Sequence, residues 1–404
     1  MPVAYLVSIT LALFSGALPA QILGVLWEPI SKSMEVDIPY IALLRLLGGA
    51  GAAAAVILSD RIRGYILARD LIVGAIALEA LCLIGFSMSR EYWNLAVWIT
   101  ALGFSGGMGL SLICYLLRGT YSRKTCLLFV SSALGITAGV YFVSYVLSLG
   151  RSWRTACQGL AIGQVVLCIV VFLLRRTVLR DVAAILRRQK LEEGIRRERR
   201  REKLIREQGA VDERQQDAYL VRLLFLYASV LCCGLLLLSA VHLIHLAAVS
   251  QGSASADPGE GILTVCVSMA AGRAVFYFLR RSARSAWAIG SVLTIGCLLA
   301  CTAAAWAGYT GSMLFVLARI GTGCGAGLIF PNVIQAEDER FDDEAQTTMA
   351  GLIPAFYLGA AAVITPFSQM MAGASTMKNC FQAMLVLAGC MGGCLAFAGT
   401  RVRR

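Results

Sequence analysis

Four charged side chains lie inside long apolar stretches of this sequence, where a charge is costly unless it has a partner or a function. They are three arginines and one glutamate: Arg45, Arg273, Arg319 and Glu79. A planar guanidinium matches the two oxygens of a carboxylate or phosphate, and a buried carboxyl can carry a proton. The pattern predicts recognition of a small anion, with proton movement as the chemistry that Glu79 adds.

Arg45 and Glu79 fall at similar depths in the second and third predicted helices, about 12–14 Å from the same membrane face. Equal depth on neighbouring helices permits an ion pair. Two interpretations stay open: a structural salt bridge, or a cavity pair in which Arg45 binds substrate and Glu79 is the proton-coupling residue. Removing one partner of a buried pair should do more harm than removing both.

Composition requires a lipid environment for most of the chain. The 404 residues are 58% hydrophobic and 15% charged, with a mean hydropathy of +0.74, whereas soluble domains are about a quarter charged. This excludes a soluble enzyme, a secreted disulfide scaffold and a disordered protein. The 14 cysteines lie mainly in or beside apolar stretches without metal-ligand spacing, and we interpret them as helix-packing residues.

A transmembrane helix needs about 20 largely apolar residues, and the sequence offers twelve such segments. The fold class is therefore an all-α integral membrane protein with two pseudo-symmetric six-helix bundles. The predicted domains are residues 1–174, a basic linker with an amphipathic helix at 175–218, and residues 219–404. The predicted spans are 3–31, 37–58, 69–88, 92–117, 125–149, 154–174, 219–247, 260–280, 286–308, 312–334, 347–372 and 377–399.

Basic residues predict the orientation, because Lys and Arg concentrate in cytoplasmic loops. If both termini are cytoplasmic, most of the 36 Lys and Arg fall inside, and the links on the other face hold five. These are Lys32, Arg90, Arg151, Arg154 and Lys378. We expect a multi-pass protein of the plasma (inner) membrane with both termini cytoplasmic. The basic run is most simply explained by a cytoplasmic loop that follows this rule, so no nucleic-acid partner is predicted. The amphipathic helix of the linker would lie near lipid headgroups, and a solvated charged helix is the alternative.

Twelve helices around a long basic loop resemble the major facilitator superfamily. Asp60-Arg61 after the second helix resembles the superfamily's Gly-x-x-x-Asp-Arg-x-Gly-Arg loop, although Val56 replaces the first glycine and Gly64 stands one place late. Short segments resemble the fucose-permease-like branch. They are 23–29, 103–109, Ser152-Trp153-Arg154 and 325–332.

The resemblance implies roles for several residues. Helices one, four, seven and ten would line a central cavity, which places Arg319 there as a substrate ligand; a structural arginine capped by carbonyls is the alternative. Asp60, Arg61 and Arg273 would act in gating, with Asp60 aimed at the start of helix eleven and Arg273 packing on the adjacent loop. Further polar candidates for substrate binding are Gln21, Tyr115, Tyr141, Tyr145 and Tyr357.

The predicted function is secondary active transport of a small polar solute by alternating access. An organic anion is favoured because intramembrane arginines outnumber acids, and a proton or another ion is the expected coupling partner. A neutral sugar/proton symporter and a transport-inactive membrane sensor are the alternatives. The sequence has no catalytic constellation and no nucleotide-binding Gly-x-x-x-x-Gly-Lys motif. We therefore expect no enzymatic activity, no cofactor and a monomer.

Overall fold

The computed structural model is all-helical in the part of the chain that it describes. That part comprises residues 3–36, 40–62, 68–117, 123–174, 258–279 and 313–338, with short stretches between 289 and 300 and a few single positions elsewhere. The basic linker 175–218, the predicted seventh and eleventh helices and most of the predicted ninth and twelfth lie outside the described residues.

Nine helices are named here in chain order. They are α1 (Val3–Ala17), α2 (Ile22–Met34), α3 (Tyr40–Ile62), α4 (Ala68–Met88), α5 (Tyr92–Leu117), α6 (Arg123–Ser148), α7 (Trp153–Leu174), α8 (Pro258–Leu279) and α9 (Met313–Asp338). Helices α8 and α9 correspond to the predicted eighth and tenth spans. The helix bounds predicted from hydropathy lie within a few residues of the observed bounds. They agree because the length of the apolar stretch is matched to the thickness of a bilayer.

Five described stretches are long and apolar enough to cross a membrane. They are Leu6–Met34, Asp70–Met88, Tyr92–Cys114, Leu128–Ser148 and Trp153–Leu174. The first of them corrects the sequence prediction of one continuous helix over 3–31, since it consists of α1 and α2 joined by a turn at residues 18–21. The turn contains Pro19, which has no backbone N–H and whose ring collides with the carbonyl four residues earlier, so the helix breaks there.

Close glycine crossings, at which an added methyl group would meet the backbone of a neighbouring helix, occur in both halves of the chain. A methyl group on Gly103 or Gly107 of α5 would overlap the backbone of Gly48 or Ala52 of α3. In the second half, Gly323 and Gly327 of α9 meet the carbonyls of Val265 and Met269 of α8 in the same way. The contacts are four residues apart on all four helices. Backbones that approach this closely are typical of small-residue interfaces in membranes.

Trp153 and Arg154 of the Ser152-Trp153-Arg154 segment anchor the N-terminal end of α7. The Trp153 indole donates to Ser33 Oγ at 2.9 Å, and its ring packs edge-on against Phe86. Arg154 lies over the Trp153 ring and donates to the Ser89 carbonyl at 2.9 Å. These contacts tie the start of α7 to α2 and to the end of α4.

Gly103→Ala should destabilise the protein, because the new methyl group meets a backbone that cannot move aside. Overpacking of this kind costs about 1–3 kcal/mol, which a lower Tm of the detergent-purified chain would report. Gly74→Ala is the matched control, since its Cβ would meet nothing within 4 Å. Equal Tm values for the two variants would show that the α3–α5 crossing is looser than described.

Candidate functional site

A cavity of about 280 Å³ lies among α1 to α6 and the α8 face that packs on α6. Glycine, alanine and aliphatic residues form most of its wall. Its polar lining residues are Gln21, Arg45, Glu79, Ser132 and Arg273. Two cations and one carboxyl on an otherwise apolar wall match the usual form of a small-molecule site, in which few polar groups orient the ligand.

Glu79 is held in a buried hydrogen-bonded cluster with α1 and α7. Its side chain is 1% exposed, and the side-chain amide of Gln164, itself fully buried, donates to Glu79 Oε2 at 3.1 Å. The second N–H of that amide donates to the Ser15 carbonyl at 2.8 Å, and the Ser15 hydroxyl donates to Gln164 Oε1. Buried polar groups need such partners, and this cluster supplies them without an ion pair.

The proline break explains why the Ser15 carbonyl is available to Gln164. In an unbroken helix this oxygen would accept the N–H of residue 19, but residue 19 is proline. It accepts instead from Leu18 N at 3.0 Å and from Gln164 Nε2. The break that shapes the cavity wall therefore also creates the acceptor that orients the buried amide.

The expected ion pair between Arg45 and Glu79 is not formed. Arg45 lies against the first turn of α2, where a methyl group on Gly24 would stand 3.3 Å from its Nη2. Within the described residues no hydrogen bond or ion pair engages its guanidinium. Equal depth in the sequence does not determine direction around the helices: Glu79 faces α1 and α7, where Gln164 of α7 donates to its carboxyl.

Arg273 crosses from α8 to the first half of the chain. Its Nη1 donates to the Phe129 carbonyl at 2.6 Å and to Ser132 Oγ at 2.9 Å on α6, and its Nη2 lies 3.6 Å from Met269 Sδ. We expected contacts with the adjacent loop, which lies outside the described residues. The contacts described here make Arg273 a buried brace between α8 and α6 that also faces the cavity.

Arg319 is not among the residues that line this cavity, and the predicted seventh helix, which was expected to share a central cavity with it, lies outside the described residues. Arg319 is half-buried on α9, and its guanidinium lies 5.3 Å from the centre of the Phe315 ring. A position seven residues into an apolar helix fixes depth, but it does not fix the face on which the side chain lies.

Tyr141 and Tyr145 are also absent from the lining. They stack on each other with ring centroids 6.5 Å apart and are 62% and 53% exposed. The prediction that they share one face of α6 is confirmed, but the face is an outer one, because α6 turns Gly135 and Gly139 toward α1 instead.

Several predicted residues cannot be placed. The side chains of Asp60 and Arg61 at the end of α3, and that of Tyr115 in α5, lie outside the described part of the structure, as does Tyr357 entirely. Gln21 is placed as expected for a substrate ligand, since it precedes α2 and lines the cavity.

The sequence interpretation missed Gln164, Ser15 and Ser132. A signal existed for Gln164, which is an uncharged polar residue in the middle of a 22-residue apolar span. Pro19, four residues after Ser15, also marked a helix break inside a predicted span. Within the described residues no group of three His, Cys, Asp or Glu is placed to hold a metal ion.

Comparison with known proteins identifies the fold. A model of the Major Facilitator Superfamily matches residues 6–366. The structure of the proton:xylose symporter XylE bound to 6-bromo-6-deoxy-D-glucose aligns with a TM-score of 0.73 at 13% identity, covering 98% of this chain and 95% of that one. The human organic anion transporter MFSD10 (TETRAN) aligns with a TM-score of 0.65 at 14% identity, covering 98% and 100%. A sequence search of curated proteins finds no match.

The absence of an Arg45–Glu79 ion pair can be tested by a double-mutant cycle. Because neither side chain is the ion-pair partner of the other, removing both should not restore stability, and the double variant Arg45→Ala with Glu79→Ala should be less stable than either single variant. Thermal unfolding of the four purified proteins measures this. A double variant more stable than either single variant would mean that the two charges pair in the native protein.

Proposed function

This chain belongs to the major facilitator superfamily, whose members are transporters, and we propose that it moves a small organic anion by alternating access. The observation that carries this proposal is Arg45, a cavity-lining guanidinium that no described residue engages. A charge in this position is costly unless something pairs with it. A carboxylate substrate meets that requirement, since its two oxygens match the guanidinium fork.

The helix break beside Arg45 strengthens the case for an anion. Pro19, Ala20 and Gln21 line the cavity, and α2 begins at the next residue, Ile22. The N-terminus of a helix carries a partial positive charge, and in transporters the ends of broken helices often face anionic groups of the substrate. Arg45 packs on this same turn of α2, so both features favour negative charge at one end of the cavity.

We assign proton coupling to Glu79. It lines the same cavity as Arg45 and is held by the neutral amide of Gln164. A carboxyl without an ion pair can gain and lose a proton without breaking a salt bridge. Movement of one proton with a monocarboxylate would leave the net charge of the complex unchanged.

A neutral sugar moved with a proton is the second candidate. The likeness to a structure of a proton:xylose symporter favours it, whereas the likeness to an organic anion transporter favours the first. Both likenesses are too distant in sequence to decide between the two. The unengaged Arg45 favours the anion, because a neutral sugar would leave its charge without a counter-ion.

For the remaining features of the transporter, we propose what the sequence predicts. We place the chain in the plasma membrane as a monomer with cytoplasmic termini, and its basic linker at 175–218 against lipid headgroups. Gating is assigned to Asp60 and Arg61 at the end of α3. Arg319, which does not line the described cavity, and Tyr357, which lies outside the described residues, remain secondary candidates for substrate binding.

Glucose and glucuronate form a matched pair that tests the proposal, because they differ in one carboxylate. The purified full-length chain should gain Tm with glucuronate, or with lactate or succinate, and gain less with glucose. Saturation at about 100 times Kd corresponds to about 2.7 kcal/mol of stabilisation. Arg45→Gln should weaken binding of the stabilising acid at least about 30-fold, as measured by titrating the Tm shift.

Arg90→Gln is the control for that substitution, since Arg90 is an exposed arginine between α4 and α5. It should leave the titration unchanged. Equal stabilisation by glucose and glucuronate, unaffected by Arg45→Gln, would favour the neutral-sugar alternative. Binding without any uptake into proteoliposomes would point to a transport-inactive sensor.

A further inference from the structure

Of the two possible orientations of the buried Gln164 side-chain amide, only one fits its hydrogen-bond partners. Ser15 donates its hydroxyl to Gln164 Oε1 and offers its carbonyl to Nε2, so the two ends of the amide are distinguished by chemistry. A backbone carbonyl cannot donate, and a flipped amide would set two oxygens against each other. The remaining N–H of Nε2 therefore always points at Glu79 Oε2.

The other carboxyl oxygen, Glu79 Oε1, faces two glycines. Methyl groups on Gly16 of α1 and Gly106 of α5 would lie 3.5 Å and 3.7 Å from it. Both glycines and Glu79 line the cavity. The two oxygens of the Glu79 carboxyl thus have different surroundings. Oε2 accepts a hydrogen bond from a fixed donor, whereas Oε1 lies beside two cavity-lining glycines that have no side chains to cover it.

We propose that Glu79 Oε1 is the atom that takes up and releases the coupled proton, and that Gln164, fixed by Ser15, is the residue that positions it. The inference rests on the proposed proton coupling and adds to it the atom, the access route and the positioning pair. Protonation forms an O–H bond at Oε1 with a proton from cavity water. Release returns that proton to water, while Oε2 keeps its hydrogen bond from Gln164 in both states.

Few other ionisable groups surround this site in the described part of the chain. On α4 itself, Cys82 lies close enough to Glu79 to interact electrostatically. The packed helices α1, α5 and α7 face the carboxyl with Ser15, Gly16, Gly106 and Gln164, none of which ionises.

Arg45 and Arg273 line other walls of the same cavity. Glu79 is therefore the group through which a proton can enter this cluster.

Infrared spectroscopy of the full-length protein in lipid tests the positioning role without any transported solute. The carbonyl stretch of a protonated carboxyl should appear on acidification and be missing in Glu79→Gln. Gln164→Leu should move this band to higher frequency, because the C=O at Oε2 loses its donor. Gln164→Asn keeps an amide but is one methylene shorter, so it should give the same shift if the leucine variant does not fold.

Exchange into D₂O tests the access route. Gly106→Ala places a methyl group in ordinary contact with Oε1, so exchange of the carboxyl proton should be slower than in the wild type while the band keeps its frequency. Gly109→Ala is the matched control on the same helix and in the same cavity, since its methyl group would instead meet Ala75 Cβ at 3.9 Å.

Each contrary result overturns the proposal. A spectrum in which Glu79→Gln removes no band would mean that Glu79 does not protonate. An unshifted band in both Gln164 variants would remove Gln164 as the positioning residue, and equal exchange in the two glycine variants would close the proposed route. Because no solute is needed, a failure to bind any anion would count against the proposed function and leave these results as they stand.

Discussion

A proline that cannot donate a hydrogen bond determines the arrangement of this site. Pro19 leaves the Ser15 carbonyl without its helical donor, and the Leu18 N–H together with the Gln164 amide of α7 donates to it instead. The same amide then binds the Glu79 carboxyl. A local rule of backbone chemistry in the first transmembrane span thus connects α1, α4 and α7 through three fully buried polar side chains, and it opens the turn that exposes Gln21 to the cavity.

Glycine gives this cavity its shape, and the arginines give it its charge. Where α3 and α5 cross, glycines bring two backbones into contact. Around Glu79, Gly16 and Gly106 do the opposite and leave space at the carboxyl. The Arg273 guanidinium donates hydrogen bonds to a carbonyl and a hydroxyl group of α6 and so joins the two halves of the chain. No described residue forms a hydrogen bond or an ion pair with Arg45. Two arginines at one cavity therefore have different tasks, which composition alone does not distinguish.

Sequence analysis predicted what depends on position along the membrane normal. Apolar length placed α5 correctly, and Arg45 and Glu79, for which a shared cavity was one of two interpretations, both line the cavity. Sequence analysis could not predict which residues contact each other, because that depends on the direction in which each side chain leaves its helix. Arg319 and the Tyr141–Tyr145 pair do not face this cavity, and the expected Arg45–Glu79 ion pair is replaced by a Gln164 amide 85 residues away in the chain. Such partners depend on helix rotation and packing, which hydropathy does not encode.

The internal pH of proteoliposomes measures the central claim most directly. Vesicles that contain the reconstituted chain and a trapped pH indicator would receive a membrane-impermeant carboxylate that stabilises the protein. The account predicts that the interior acidifies with wild type, and that it does not with Glu79→Gln or in protein-free vesicles. Acidification by Glu79→Gln at the wild-type rate, or carboxylate uptake by the wild type without any acidification, would contradict proton coupling through this carboxyl.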